Sequence, residues 1–337
     1  MSALETLWYT RCPVSADSGI AVQKGWLEEG LRGQCTAIRS LRETSELSVR
    51  HGGSIPALWA RSAGRKTSLI GLSWEDETQR ILALPDSGIE VTRDLKGRRF
   101  GVPKCATAQI DFQRAQALRA LENALKLDGL TLSDMEIVDF PISGGSCDDV
   151  PAQSVAGGHV FGIPRSGQGA ELLGLIRGKV DAIFLKGVDA AQTADRLGLY
   201  TVIDVGLHPD PLIRSNNGTP RTLTVDQPLL ERHFDVVVRL LEEVWRAEAW
   251  AHRHPGETRR FLARETNSSE YWVSVAYGED AHLRLRTGFD KQAVGALQDF
   301  SDFLYRQHFI PELVDVASWV DARPWKTAIH PDSGRGV

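Results

Sequence analysis

Short apolar runs of strand length alternate with stretches in which apolar residues recur every three or four positions, through the first two thirds of the chain. This alternation predicts an α/β fold with a largely parallel sheet. Strands are expected at residues 7–10, 67–74, 80–85, 100–102, 135–142, 180–185 and 200–206. A helix is expected over 18–29, although Ile20, Val22, Trp26 and Leu27 only partly follow the 3.6-residue period. Another should begin at Ser54, after Gly52-Gly53, with Pro56 tolerated in its first turn. Leu118, Leu121 and Leu125 mark an amphipathic helix over 113–130, and "AELLGLIRG" predicts one with Leu172, Leu173 and Ile176 turned inward. The last third is mainly helical: Val237, Leu240, Leu241 and Val244 form one stripe, Val294, Leu297, Phe300 and Leu304 another, and Pro255 opens a short helix between them. Residues 143–158, rich in Gly, Ser and Asp, read as a surface loop.

A chain of 337 residues is long for one core and suits two lobes of ~150 residues with a cleft between them. The hydrophobic content of 42%, charged content of 25% and net charge of −5 give no electrostatic case for nucleic acid or an anionic membrane. The four cysteines, Cys12, Cys35, Cys105 and Cys147, form no CxxC pair and have no His at ligand spacing. Neither a zinc site nor a disulfide framework is expected, and free thiols are the simpler reading. The N-terminus shows neither the basic segment nor the apolar run of a leader, so a cytoplasmic location is expected.

The chemistry is expected where strands hand over to helices, at residues 12–17, 50–54 and 103–111, since ligands bind at the carboxyl ends of strands in such folds. A helix N-terminus offers free N–H groups and partial positive charge to an anion. Gly52 and Gly53 allow close approach, and Arg50 can add a planar fork of donors. A solvated turn with a helix cap explains the same residues. Cys12, beside Arg11 and ahead of a helix, could have a depressed pKa, although free cysteines are commonly buried. His51 adjoins the turn and would titrate near neutrality if exposed. Trp8, Trp74 and Phe161 can line a pocket or simply pack in the core.

The segments "YTRCPV", "RHGGSIPALWARS", "DLKGRRFGVP", "GKVDAIF" and "VIDVGL", in this order, resemble those of the 2'-hydroxybiphenyl-2-sulfinate desulfinase-like family. That family is in turn similar to the substrate-binding proteins of sulfonate and nitrate ABC transporters. The resemblance implies a periplasmic-binding-protein-like fold of the second type, with two α/β lobes around a ligand cleft: residues 1–98 plus 205–337 form the first lobe, and 99–204 the second. It implies cofactor-free cleavage of an aryl carbon–sulfur bond to give a phenol-type product and sulfite; a monomer that binds a small organosulfur or aromatic anion, with no metal, is expected. Cys12 matches the family's essential cysteine, Arg50 its sulfinate-binding arginine and Gly53 the backbone donor beside it. Thr10 and Gly52 are expected to join the substrate contacts. The family's His-Phe pair, ten residues before the arginine, is absent, and Ser40 stands at that position. His51 is the candidate replacement; without one, general acid–base help of about 10²–10⁴-fold would be lost. The alternative function is a non-catalytic solute-binding protein for a sulfonate, nitrate or aromatic anion. A hydrolase or decarboxylase acting on another aromatic acid is a third.

Overall fold

The computed structural model describes residues 4–11, 16–40, 47–105, 110–142 and 169–329, with the side chains of residues 36–40 left aside. In chain order the strands are β1 (Leu4–Arg11), β2 (Cys35–Ser40), β3 (Ser48–Gly52), β4 (Thr67–Ser73), β5 (Gln79–Ala83) and β6 (Arg99–Lys104). They continue as β7 (Glu136–Pro141), β8 (Ala182–Lys186), β9 (Tyr200–Asp204), β10 (Arg221–Asp226) and β11 (Thr287–Gly288). Two sheets result, one in the order β11-β4-β10-β3-β1-β2 and the other β7-β6-β8-β5-β9. The chain passes between them twice, after β4 and after β9.

Both sheets are mixed, which corrects the largely parallel expectation. β1, β2 and β3 run parallel, as do β6, β7 and β8. β10 is antiparallel to β3 and β4, and β5 to β8 and β9. β10 and β5 enter a sheet directly from the other one, so the crossovers and not any local pattern fix their direction; β11, which follows the C-terminal helices, is likewise antiparallel to β4. The second sheet therefore begins with β5, at Gln79, on the N-terminal side of the expected 98/99 boundary.

The helices follow their expected positions more closely than their expected shapes. In place of one helix over 18–29 there are α1 (Asp17–Gln23) and α2 (Trp26–Gly30), separated at Gly25, whose left-handed φ of 72° stops a continuous helix. α3 (Ser54–Ser62) follows the two glycines, and α4 (Phe112–Lys126) buries Leu118, Leu121 and Leu125. α5 (Ala170–Ile176) departs from expectation: Leu175 is buried with partial cover of Leu172, while Leu173 and Ile176 are 47% and 48% exposed. In a helix of two turns the apolar residues allow more than one face, and the backing of β6 and β8 selects it.

Two large cores hold the molecule together. One face of the first sheet packs Leu7, Tyr9, Val49, Leu223 and Val225 against the helix Phe234–Arg253, whose Val237, Leu240, Leu241 and Val244 are all buried. The other face joins Ile55, Leu58, Leu69 and Leu72 to Phe100, Val102 and α4, and to the helix Lys291–Arg306 through Leu297, Phe300 and Leu304. This second core spans both sheets. α6 (Gly187–Leu197) starts immediately after β8. Among the described residues, no helix is long and apolar enough to cross a membrane.

Candidate anion site at the end of the first sheet

β1 and β3 are neighbours, with Thr10 opposite Arg50 and Arg11 opposite His51, and on the other side of β3 Thr224, Leu223 and Thr222 pair with Arg50, His51 and Gly52. Alternation in the strands places Thr10, Arg50, Gly52, Thr222 and Thr224 toward the face covered by α3, and Arg11, His51 and Leu223 toward the other. Arg50, Gly52, Gly53 and Thr10 are thus brought together at one sheet end, with His51 beneath them. Arg50 is half-buried and its Nη1 donates to the Gly53 carbonyl at 2.9 Å. The guanidinium so ties down the turn that leads into α3.

The N-terminus of α3 is partly occupied. The Ser54 N–H donates to the Asn217 carbonyl at 2.8 Å, and the Ile55 N–H to Asn217 Oδ1 at 2.9 Å. Asn217 comes from the second crossover and caps the helix with both its backbone and its side chain. A Cβ on Gly53 would stand 2.6 Å from Asn217 Oδ1, so glycine is required there for close packing. Sequence reading missed Asn217: the "SNNGTP" segment carries a turn signal, but nothing in it says which distant helix it caps.

His51 is 4% exposed. Its Nδ1 lies 2.6 Å from Ser18 Oγ and its Nε2 3.1 Å from Ser73 Oγ, with Asp17 Oδ1 at 3.9 Å from Nδ1. Burial, reinforced by the charges of Arg221, Arg50 and Arg11, lowers its pKa to about 3, so the imidazole is neutral at physiological pH. Asp17 is buried beside it, accepting from Thr287 Oγ1 at 2.5 Å and from the Ser18 N–H at 2.7 Å. Burial raises its pKa to about 6.

Cys12 lies outside the described residues, as do Cys147, Phe161 and the loop expected over 143–158. Ser40 ends β2 beside Tyr9, with its side chain left aside. Arg11, expected to act on the neighbouring thiol, holds Glu265 Oε2 at 2.7 Å in a buried pair, so much of its charge is balanced. Cys35 is a free thiol, but Cys105 is disulfide-bonded, against the expectation of free thiols throughout. Trp8 is half-buried, and Trp74 stacks under the Arg214 guanidinium at 5.6 Å.

Next to the turn, the two crossovers meet in a buried charge cluster. Lys186, the last residue of β8, sets its ammonium 2.6 Å from Glu77 Oε1, and Arg221, the first of β10, lies 3.3 Å from Glu75 Oε2 and 3.9 Å from Glu77 Oε1. Gly218 packs against the Glu77 carboxylate and Gly206 against the Glu77 carbonyl, with no room for a Cβ at either. A separate groove of about 420 Å³, lined by Arg61, Thr67, Trp319, Arg323 and Lys326 among others, opens at the far end of β4 from this site. Among the described residues, no group of three or more His, Cys, Asp or Glu side chains could hold a metal ion.

Two mixed α/β lobes joined by two crossovers, with a glycine turn and an arginine at the carboxyl end of the first sheet, define a periplasmic-binding-protein-like fold. The chain is 28% identical to the 2'-hydroxybiphenyl-2-sulfinate desulfinase of Rhodococcus erythropolis over 347 aligned residues, covering 94% of this chain and 91% of that one. It superposes on the crystal structure of the desulfurization enzyme DSZB with a TM-score of 0.75 at 25% identity, covering 97% and 99% of the two chains. The aliphatic sulphonate binding protein SsuA of Escherichia coli shares the fold, with a TM-score of 0.65 at 15% identity over 95% and 92%. No family model matches the chain.

Proposed function

We propose that the protein binds an aryl sulfinate, or a closely related organosulfur anion, between its lobes and hydrolyses the carbon–sulfur bond. In that reaction water supplies a proton to the ring carbon and a hydroxyl to sulfur, and sulfite leaves. In this reading Arg50 presents its planar, charged guanidinium to the anion, Gly53 its N–H, and Thr10 its hydroxyl. Cys12, just beyond the end of β1, is the reactive group in this reading, either as the proton donor to carbon or as the nucleophile at sulfur. His51, neutral and enclosed by two serines, holds the end of β3 and exchanges no proton with substrate. The observation that carries the proposal is the Arg50–Gly53 turn, set beside a desulfinase-like sequence over nearly the whole chain. Fold likeness alone would not distinguish a catalyst from a binder.

The test is sulfite release from 2'-hydroxybiphenyl-2-sulfinate. Cys12→Ser should abolish it, and Arg50→Ala should lower kcat/KM by about 10²-fold or more, as expected when a charge-assisted pair to the substrate is lost. Wild-type protein that releases no more sulfite than Cys12→Ser would end the desulfinase reading for this substrate.

The disulfide at Cys105 favours a second reading, since disulfides persist in oxidising compartments. A solute-binding protein for a sulfonate or nitrate would use the same Arg50–Gly53 turn with no reactive thiol. Anion affinity unchanged by Cys12→Ala, with no product formed, is its signature.

A further inference from the structure

We propose that Asn217, delivered by the second crossover, is a further donor of the anion site and sets the angle at which the anion meets Gly53. This rests on the anion-binding reading of the Arg50–Gly53 turn. The Asn217 amide is oriented without ambiguity. Its Oδ1 accepts the Ile55 N–H at 2.9 Å, its backbone carbonyl accepts the Ser54 N–H at 2.8 Å, and its own N–H donates to Asn216 Oδ1 at 2.8 Å. The amide packs flat against Gly53, with Oδ1 2.6 Å and Nδ2 2.8 Å from the position a Gly53 Cβ would take, and the oxygen is already committed to the helix. The described residues offer Nδ2 no acceptor, and the side chain is only half-buried. Two N–H donors held in a fixed orientation beside Gly53 are what a ligand oxygen there would require.

Three donors from three places then converge: the guanidinium of Arg50 on β3, the Gly53 N–H ahead of α3, and the Asn217 amide from the crossover. Donors reaching the anion from three directions suit the pyramidal head group of a sulfinate or the tetrahedral one of a sulfonate better than a planar carboxylate. Asn217 also ties the site to the joint between the lobes. Gly218, the next residue, packs on the Glu77 carboxylate, which holds Lys186 at the end of the second sheet.

Asn217→Asp separates this role from that of a helix cap. The carboxylate still accepts the Ile55 N–H and suits a helix N-terminus, but it has no N–H to offer and repels an anion. Affinity for 2'-hydroxybiphenyl-2-sulfinate, sulfate and nitrate is measured by calorimetry for wild type and the variant, with thermal unfolding alongside. The expected result is a loss of tenfold or more in anion affinity with an unchanged or raised Tm. Asn217→Ala, which removes cap and donor together, should lower both. Equal affinity in wild type and Asn217→Asp would overturn the role of Asn217 while leaving Arg50 and Gly53 intact. Wild type that binds sulfate or nitrate but releases no sulfite would sink the desulfinase reading and not this one. Wild type that binds none of the three anions would overturn both.

Discussion

Burial governs the titratable residues around the end of β3 more than their neighbours in sequence do. His51 carries a pKa lowered to about 3 against an unfolded value near 6.5. The unfolded chain therefore takes up the proton first as pH falls, and the stability His51 contributes is complete above about pH 6.5 and is lost progressively toward pH 3. Its ring NMR signals should stay those of neutral imidazole between pH 5 and 8; a titration in that interval would show that the ring is open to solvent. Glu248 has the opposite sign. Its pKa is raised to about 7, first by burial and then by Asp17, so it costs stability as pH rises from its unfolded value through 7. Glu248→Gln should raise stability by about 1–2 kcal/mol at pH 8 and leave it nearly unchanged at pH 4, as chemical denaturation at the two pH values would show. The residue types at 50–53 were legible in the sequence as a candidate anion site. That His51 is sealed was not, because its serine partners come from α1 and β4.

At the scale of elements, the turn into α3 is the part that tolerates least change. Gly53→Ala would drive a methyl into the Asn217 amide, uncapping the helix and shifting the Arg50 acceptor. A loss of about 1–3 kcal/mol is expected. Combining it with Asn217→Gly should recover part of that loss, giving a non-zero coupling in a double-mutant cycle. Strict additivity would show that the two residues do not touch. The elements themselves were largely readable: glycine turns and apolar periodicity marked β4, α3, α4 and the stripe of the helix Phe234–Arg253. Where reading failed, the cause is specific. The break at Gly25 needs a left-handed residue inside a weakly periodic stretch, and α5 is too short for its pattern to choose a face.

Across the whole molecule, the two lobes are joined by a core shared between the sheets and by the Lys186–Glu77–Arg221–Glu75 cluster at the crossovers. Removing one member of a buried pair strands its partner's charge, so Lys186→Met should cost about 3–5 kcal/mol in urea unfolding. A change below about 1 kcal/mol would mean that Glu77 is fully held by Arg221 alone. The sequence by itself determined the α/β class, most of the strands and helices, and the start of a helix just after Gly53, because periodicity and side-chain chemistry are local properties. The tertiary structure alone decided the mixed strand directions, the sealing of His51, the pairing of Arg11 with Glu265 and the arrival of Asn217 at α3. Each of these depends on which distant segment fills a given space, and that is settled only when the crossovers and the shared core close together.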